Sequence, residues 1–191
     1  GIVYYENGKP VDFMCLLKGK IKIYKDGVGG RSQIVRVVRP VQYFGYRAYF
    51  AEEPYVTTAA AFESSVVCLI PMKIIEQILR NNGSLAMLLI RLLSIDLGVS
   101  DRRVVNLTQK HIRGRLAESL IFLKESYGLE EDGATIGVYL AREDLANLSN
   151  MTTSNAIRTL SIFEKERIIS LDGRKIKIID EDRLQKISRI G

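Results

Sequence analysis

The spacing of hydrophobic positions divides the chain into a β-type half and a helical half. Over residues 1 to about 70, apolar and polar residues alternate, most clearly in Lys20-Ile21-Lys22-Ile23-Tyr24. A period of two marks half-buried strands. SQIVRVVRP and TTAAAFESSVVCLIP continue the strands, punctuated by Gly8, Gly19, Asp26-Gly27, Gly29-Gly30, Pro40 and Gly45. Many short strands predict a closed or sandwich-like β structure, with a jelly-roll barrel as the obvious form. Pro71 ends this half, and a short helix is expected from Met72 to Arg80. After a break at Asn81-Asn82-Gly83, Ser84 is expected to cap a long helix reaching about Leu107. Its apolar residues follow a heptad, Leu85, Leu88, Leu92, Ile95 and Val99, which Arg102 and Asn106 continue as polar members. That stripe suits a parallel dimer, in which a lone core Asn fixes register. A second stripe, Leu89, Leu93 and Leu97, is expected to pack inward on the barrel.

Beyond a polar break at Thr108-Gln109, residues His111 to Tyr127 form another helix, with Ile112, Leu116, Leu120 and Leu123 on one face. An acidic, turn-rich loop fills Gly128 to Gly133. The segment Leu140 to Phe163 then reads as two short helices joined by a tight turn. Leu145, Ala146 and Leu148 form the apolar face of the first. Asn150 occupies the turn, where positive φ is needed, and Met151 re-enters the core. Thr152 is a good N-cap, and Ala156, Ile157, Leu160 and Phe163 repeat at helical spacing. This is a helix-turn-helix, whose second helix is a candidate reader of the DNA major groove. Ser149 and Thr159 are more polar than the pattern usually shows there. The next residues, IISLDGRKIKIID, predict a hairpin turning on Asp172-Gly173 in a type I′ turn. The hairpin carries Arg174, Lys175 and Lys177, suited to phosphates. A last helix follows, capped by Asp180, with Leu184 and Ile187 inside. A helix-turn-helix followed by a basic hairpin is a winged helix, so the fold class is α+β.

Composition changes this picture little. With 191 residues, 47% hydrophobic and 26% charged, the chain is an ordinary globular protein of one or two domains. The domains expected are 1–108 (barrel plus dimer helix) and 109–191 (winged helix). No uninterrupted run of eighteen apolar residues occurs, which predicts no membrane partner. The opening GIVYYENGKP lacks both a signal pattern and an initiator Met, and predicts that the natural N-terminus is missing. Two cysteines, Cys15 and Cys68, make no disulfide framework and point to a reducing, cytoplasmic setting. The formal net charge is +6, yet from Gly137 onward ten Lys and Arg face eight Asp and Glu. A DNA-binding face must therefore come from local clustering. A single histidine, His111, argues against a cupin-type metal centre. With no nucleophile–base pair and no phosphate-cradling loop either, the expectation is no enzyme and no metal.

A barrel, a long dimer helix and a winged helix in this order resemble the Crp/Fnr family of bacterial transcription regulators over nearly the whole length. The residues most like the family are Arg142-Glu143-Asp144-Leu145-Ala146, Arg158, Asn106-Leu107, Gly114-Arg115-Leu116-Ala117, Leu17-Lys18-Gly19 and Tyr43-Phe44-Gly45. The resemblance implies a homodimer on a two-fold operator in double-stranded DNA, acting with RNA polymerase. It implies DNA contacts from Thr153, Ser154 and Arg158, with Arg142, Thr152, Asn155, Arg174 and Lys175 around them. Arg158 is suited to a guanine.

In cAMP-binding members the barrel holds phosphate and ribose through an acid and an arginine. Here the matching stretch is Gly45-Tyr46-Arg47-Ala48 and the later pair is Tyr55-Val56, so neither group is present at its usual place. Arg47 is the one substitute cation in that stretch. Ser100 and Asp101 align with adenine-contacting positions. The effector pocket expected is thus Gly45, Tyr46, Arg47, Tyr55, Ser100 and Asp101, and cAMP is not expected in it. Two cysteines fall short of the four that an iron–sulfur cluster usually needs. Haem stays open as a cofactor, with His111 at the hinge. The competing reading is a ligand-binding module that acts on a protein partner instead of DNA.

Overall fold

The computed structural model describes residues 1–190. The chain divides into two compact units, Gly1–Arg102 and Arg103 onward. The division falls inside the long helix, ahead of the residue 108 expected from the sequence. Asn106 and Arg115 account for part of this: Asn106 Nδ2 donates to Glu118 at 3.0 Å, and Arg115 donates to the Leu107 carbonyl at 3.4 Å. The end of the helix is thereby tied to the helix that follows.

The first unit contains β1 (Ile2–Tyr4), β2 (Asp12–Lys18), β3 (Ile21–Asp26), β4 (Ser32–Val38) and β5 (Tyr43–Phe44). These are followed by α1 (Arg47–Phe50), β6 (Thr58–Ala61), β7 (Val66–Pro71), α2 (Met72–Asn81) and most of α3 (Gly83–Gln109). The strands form two antiparallel sheets, in the orders β1-β6-β3-β4 and β5-β2-β7. Alternation sends Met14 and Leu16 of β2 into a core with Ile21, Ile23, Val38, Phe44 and Ala59. The opposite face of β2 sends Phe13 to Tyr46 and Met72, where Leu89 and Leu93 of α3 pack.

The inward stripe of α3 therefore begins with Leu89 and Leu93, as expected, while Leu97, although 64% exposed, borders a barrel cavity beside Leu93. Asn82, rather than Ser84, caps α3: its Oδ1 accepts from Leu85 N at 3.1 Å. At the other end Thr108 does not break the helix. Its hydroxyl donates back to the Val104 carbonyl at 2.7 Å, and α3 continues to Gln109.

No residue of α3 is buried, and Leu85, Leu88, Ile95 and Val99 are exposed. By length and composition alone α3 is apolar enough to cross a membrane, with a mean hydropathy of 1.6 over eighteen residues. Arg91, Ser94 and Asp96 interrupt its apolar run without interrupting the helix.

Candidate nucleic-acid interface and barrel cavity

The second unit contains α4 (Ile112–Tyr127), α5 (Arg142–Leu148), α6 (Thr153–Lys165), β8 (Ile169–Asp172), β9 (Lys175–Ile178) and α7 (Glu181–Ile190). Between α5 and α6 the chain turns within four residues. Asn150 has φ 50°, as the turn demands, and Met151 N donates to the Ala146 carbonyl at 3.1 Å. Ala146 is fully buried, and its small side chain lets the helices pack closely. Ser149, also fully buried, is satisfied by a 2.8 Å bond from its hydroxyl to Ser119 Oγ. The carbonyls at the end of α5 are capped by two arginines. Arg103 donates to Leu148 O at 3.2 Å and Arg115 to Ser149 O at 3.1 Å. Burial pushes the Arg103 guanidinium down to about 10. Arg115 also donates to Lys110 O at 3.2 Å, so one side chain ties the segment ahead of α4 to the turn. The sequence reading gave neither arginine this role, since carbonyl partners leave no trace in residue spacing.

Thr152 caps α6, accepting from Asn155 N at 3.2 Å. The buried face of α6 is Ala156, Thr159, Leu160 and Phe163. Ile157, expected there, is 48% exposed. Thr159 takes the inward position instead, and its hydroxyl donates to the Asn155 carbonyl at 2.8 Å. A hydroxyl satisfied within its own helix can be buried at low cost, which frees the isoleucine to face outward. The exposed side presents Thr153, Ser154, Ile157, Arg158 and Ser161. Arg158 donates to Asn155 Oδ1 at 2.9 Å, which steadies its guanidinium on the surface. The inner end of α6 is locked by a two-pronged ion pair between Arg113 and Glu166, at 2.8 and 2.9 Å. Arg113 also lies over the Phe163 ring at 5.1 Å, and its bonds hold the Glu166 carboxyl below the usual range.

The hairpin of β8 and β9 pairs Asp172 with Lys175, so the two loop residues are Gly173 and Arg174, one place later than expected. Only Gly173, at φ 55°, is left-handed there. One positive φ at the first loop position fits a type II′ turn; type I′ would need two. Arg142 Nη2 donates to the Gly173 carbonyl at 2.5 Å, while its Nη1 is buried without a partner. Arg142 therefore ties the first helix of the motif to the wing tip. Arg174 and Lys175 are exposed on the wing. Lys175 lies 3.6 Å from Glu130 and Lys177 lies 3.2 Å from Asp132. The Asp132 carboxyl, which accepts two backbone N–H bonds and the Thr135 hydroxyl, is held far below its ordinary value.

In the first unit, Gly45, Tyr46, Arg47, Tyr55 and Ser100 line one cavity of about 520 Å³, whereas Asp101 does not. Gly45 has φ 82°, which turns the chain from β5 into α1. Arg47 lies at the start of that helix. It pairs with Glu53 at 2.8 Å. A second cation that the sequence reading missed, Arg36, also lines the cavity and pairs with Asp96 of α3 at 2.9 Å. It comes from β4, ahead of the Gly45-Tyr46-Arg47-Ala48 stretch that matches the family's phosphate site. Tyr55 stacks on Tyr4 with centroids 3.9 Å apart. Its hydroxyl is buried with no partner, and burial pushes its pKa up to about 12. A larger groove of about 1090 Å³, bordered by Tyr49, Phe50, Leu79 and Leu89, has no such orphaned hydroxyl on its walls.

Two family models match this architecture. The cyclic nucleotide-binding domain matches residues 1–82, and the Crp-like helix-turn-helix domain matches residues 114–187. The chain belongs to the Crp/Fnr family of transcription regulators. Like the family, it is a DNA-binding transcription regulator. It is 23% identical over 191 residues to a CRP-like cAMP-activated global transcriptional regulator of Mycobacterium tuberculosis, covering 99% of this chain and 85% of that protein. It is 28% identical over 171 residues to an anaerobic regulatory protein of Bacillus subtilis, covering 88% and 72%. The fold superposes on FixK2 from Bradyrhizobium japonicum with a TM-score of 0.87 at 20% identity, covering 98% of this chain and 92% of that one.

Within the Crp/Fnr frame, α6 and the wing bring most of the expected DNA contacts to the surface. Thr152, Thr153, Ser154, Arg158, Arg174 and Lys175 are exposed and Asn155 is partly so, while Arg142 is engaged with the wing. Of the expected dimer positions, Leu85, Leu88, Ile95, Val99 and Arg102 are exposed and Leu92 is partly covered. Asn106, expected as a polar heptad member, is partly covered and its amide donates to Glu118.

Proposed function

We propose that this Crp/Fnr regulator acts as a cytoplasmic homodimer, paired along α3, with α6 in the major groove of each operator half-site. The observation that carries the dimer is α3 itself: 27 residues, none buried, with an apolar heptad facing outward. A second copy covers such a stripe by knobs-into-holes packing. Lipid suits it less well, because Arg91, Asp96, Asp101 and Arg102 lie along the same helix and charges in hydrocarbon are costly. Two-fold pairing sets the half-sites about one helical turn, roughly 34 Å, apart. Arg158 reads guanine from α6, while Arg174 and Lys175 hold phosphates from the wing. Bound at a promoter, the dimer acts on RNA polymerase. Selection of bound duplexes from a random pool tests this reading. A two-fold operator is expected, and recovery of asymmetric or unrelated sequences would refute it.

The cavity is the effector site of this reading, and cAMP is not its effector. Arg36 and Arg47 supply the positive charge, but Asp96 and Glu53 already pair with them. A phosphate would have to displace a carboxylate, which loses one charge-assisted bond for each one gained. Tyr4, Tyr46 and Tyr55 occupy the wall instead. Titration calorimetry with cAMP should show no binding at micromolar concentrations. Saturable binding together with cAMP-dependent operator affinity would reverse this assignment.

A further inference from the structure

The first two turns of α6 expose one apolar side chain that the fold does not use. Ile157 is 48% exposed, and its exposed neighbours Thr153, Ser154 and Ser161 are small and polar. With Arg158 it is therefore among the side chains that project furthest from this face. The packing has no need of it there, since Thr159 fills the inward position. A lone exposed isoleucine is common on any protein. This one stands beside Arg158, on the surface that must meet DNA if α6 enters the groove.

An isoleucine neither donates nor accepts a hydrogen bond, so it can read no phosphate and no polar base edge. The apolar group that base pairs display in the major groove is the C5 methyl of thymine. We propose that Ile157 is a specificity-determining residue that packs against a thymine methyl next to the base pair read by Arg158. The inference rests on the reading that α6 enters the major groove, and it adds a base to the operator that hydrogen bonding from Thr153, Ser154 and Arg158 does not specify. A polar residue at this position would leave that base undetermined or select it by hydrogen bonding.

Deoxyuridine provides the test, because it keeps every hydrogen-bonding group of thymidine and lacks only the methyl. Operator duplexes are made with each thymidine replaced in turn, and affinities are measured for the full-length wild-type protein, Ile157→Ala and Ile157→Val. For the wild type, one thymine position per half-site should weaken binding about fourfold, or about fifteenfold when both half-sites are replaced, the equivalent of one buried methyl-sized group at each. Ile157→Ala should lose that sensitivity and Ile157→Val should keep most of it. A wild type indifferent to every replacement, or an Ile157→Ala protein with unchanged sensitivity, would overturn the proposal. Arg158→Ala, run in parallel, separates the two levels. If it loses operator discrimination while the thymine scan is flat, only the role of Ile157 fails. If it keeps full discrimination, the placement of α6 fails as well.

Discussion

Helices α3 and α6 both carry clean apolar repeats, and the structure treats them in opposite ways. In α6 the repeat is covered by its own chain: Ala156, Leu160 and Phe163 are buried, and the helix packs on α4, α5 and β8. In α3, Leu89 and Leu93 pack on the barrel, but the heptad residues Leu85, Leu88 and Ile95 stay exposed, and Val99 only borders the cavity. A periodic apolar stripe shows that a helix has a face to cover. It does not show whether that cover comes from the same chain or from a second molecule. Charge placement follows the same split. The cations near α6 are divided between structural service, as in Arg103, Arg113, Arg115 and Arg142, and free display, as in Arg174.

Breaking the α3 stripe should have the largest effect. With Leu92 and Ile95 both changed to Glu, the protein should sediment as a monomer. Its operator affinity should fall on the order of a hundredfold or more, because two linked half-sites gain roughly that much from effective concentration. A stable dimer in sedimentation would place the interface elsewhere. Next in size is Arg158→Ala, which should fold normally yet lose about 1–3 kcal/mol of discrimination between operator and scrambled DNA in competition binding. Equal discrimination in mutant and wild type would remove Arg158 from base reading.

Lys175→Ala should act more weakly and without regard to sequence, lowering affinity for all duplexes and reducing the salt slope by about 1. A sequence-selective loss would contradict a phosphate role.

The smallest effect concerns the support beneath α6. The Arg113–Glu166 pair lowers the folded-state pKa of the Glu166 carboxyl. Its contribution is therefore present above the ordinary carboxylate range and is lost as pH falls through the lowered folded value. The pair is partly exposed, so the contribution should be no more than about 1 kcal/mol. Urea midpoints across mild to strong acid should show a shallower decline for Arg113→Ala than for the wild type; parallel curves would deny the linkage.

Much of this molecule was legible in the residues because local rules settle it. Alternation around Ile21 and Ile23 announced the barrel, Asn150 the tight turn, and Thr152 and Asp180 the helix caps. Each depends on backbone geometry within a few residues. Tertiary structure decided what local pattern leaves open. It chose Thr159 over Ile157 for the inside of α6, because a hydroxyl bonded to Asn155 can be buried and the helix admits only one of the two positions on that face. It moved the wing turn to Gly173-Arg174, since strand register sets the loop. It brought Arg36 to the cavity beside Asp96, sixty residues away in sequence. It also turned Arg103 and Arg115 onto the end of α5, where carbonyls of three segments meet. Spacing predicts faces and turns; partners distant in sequence are fixed only when the chain has packed, because burial and hydrogen-bond satisfaction are properties of the whole fold.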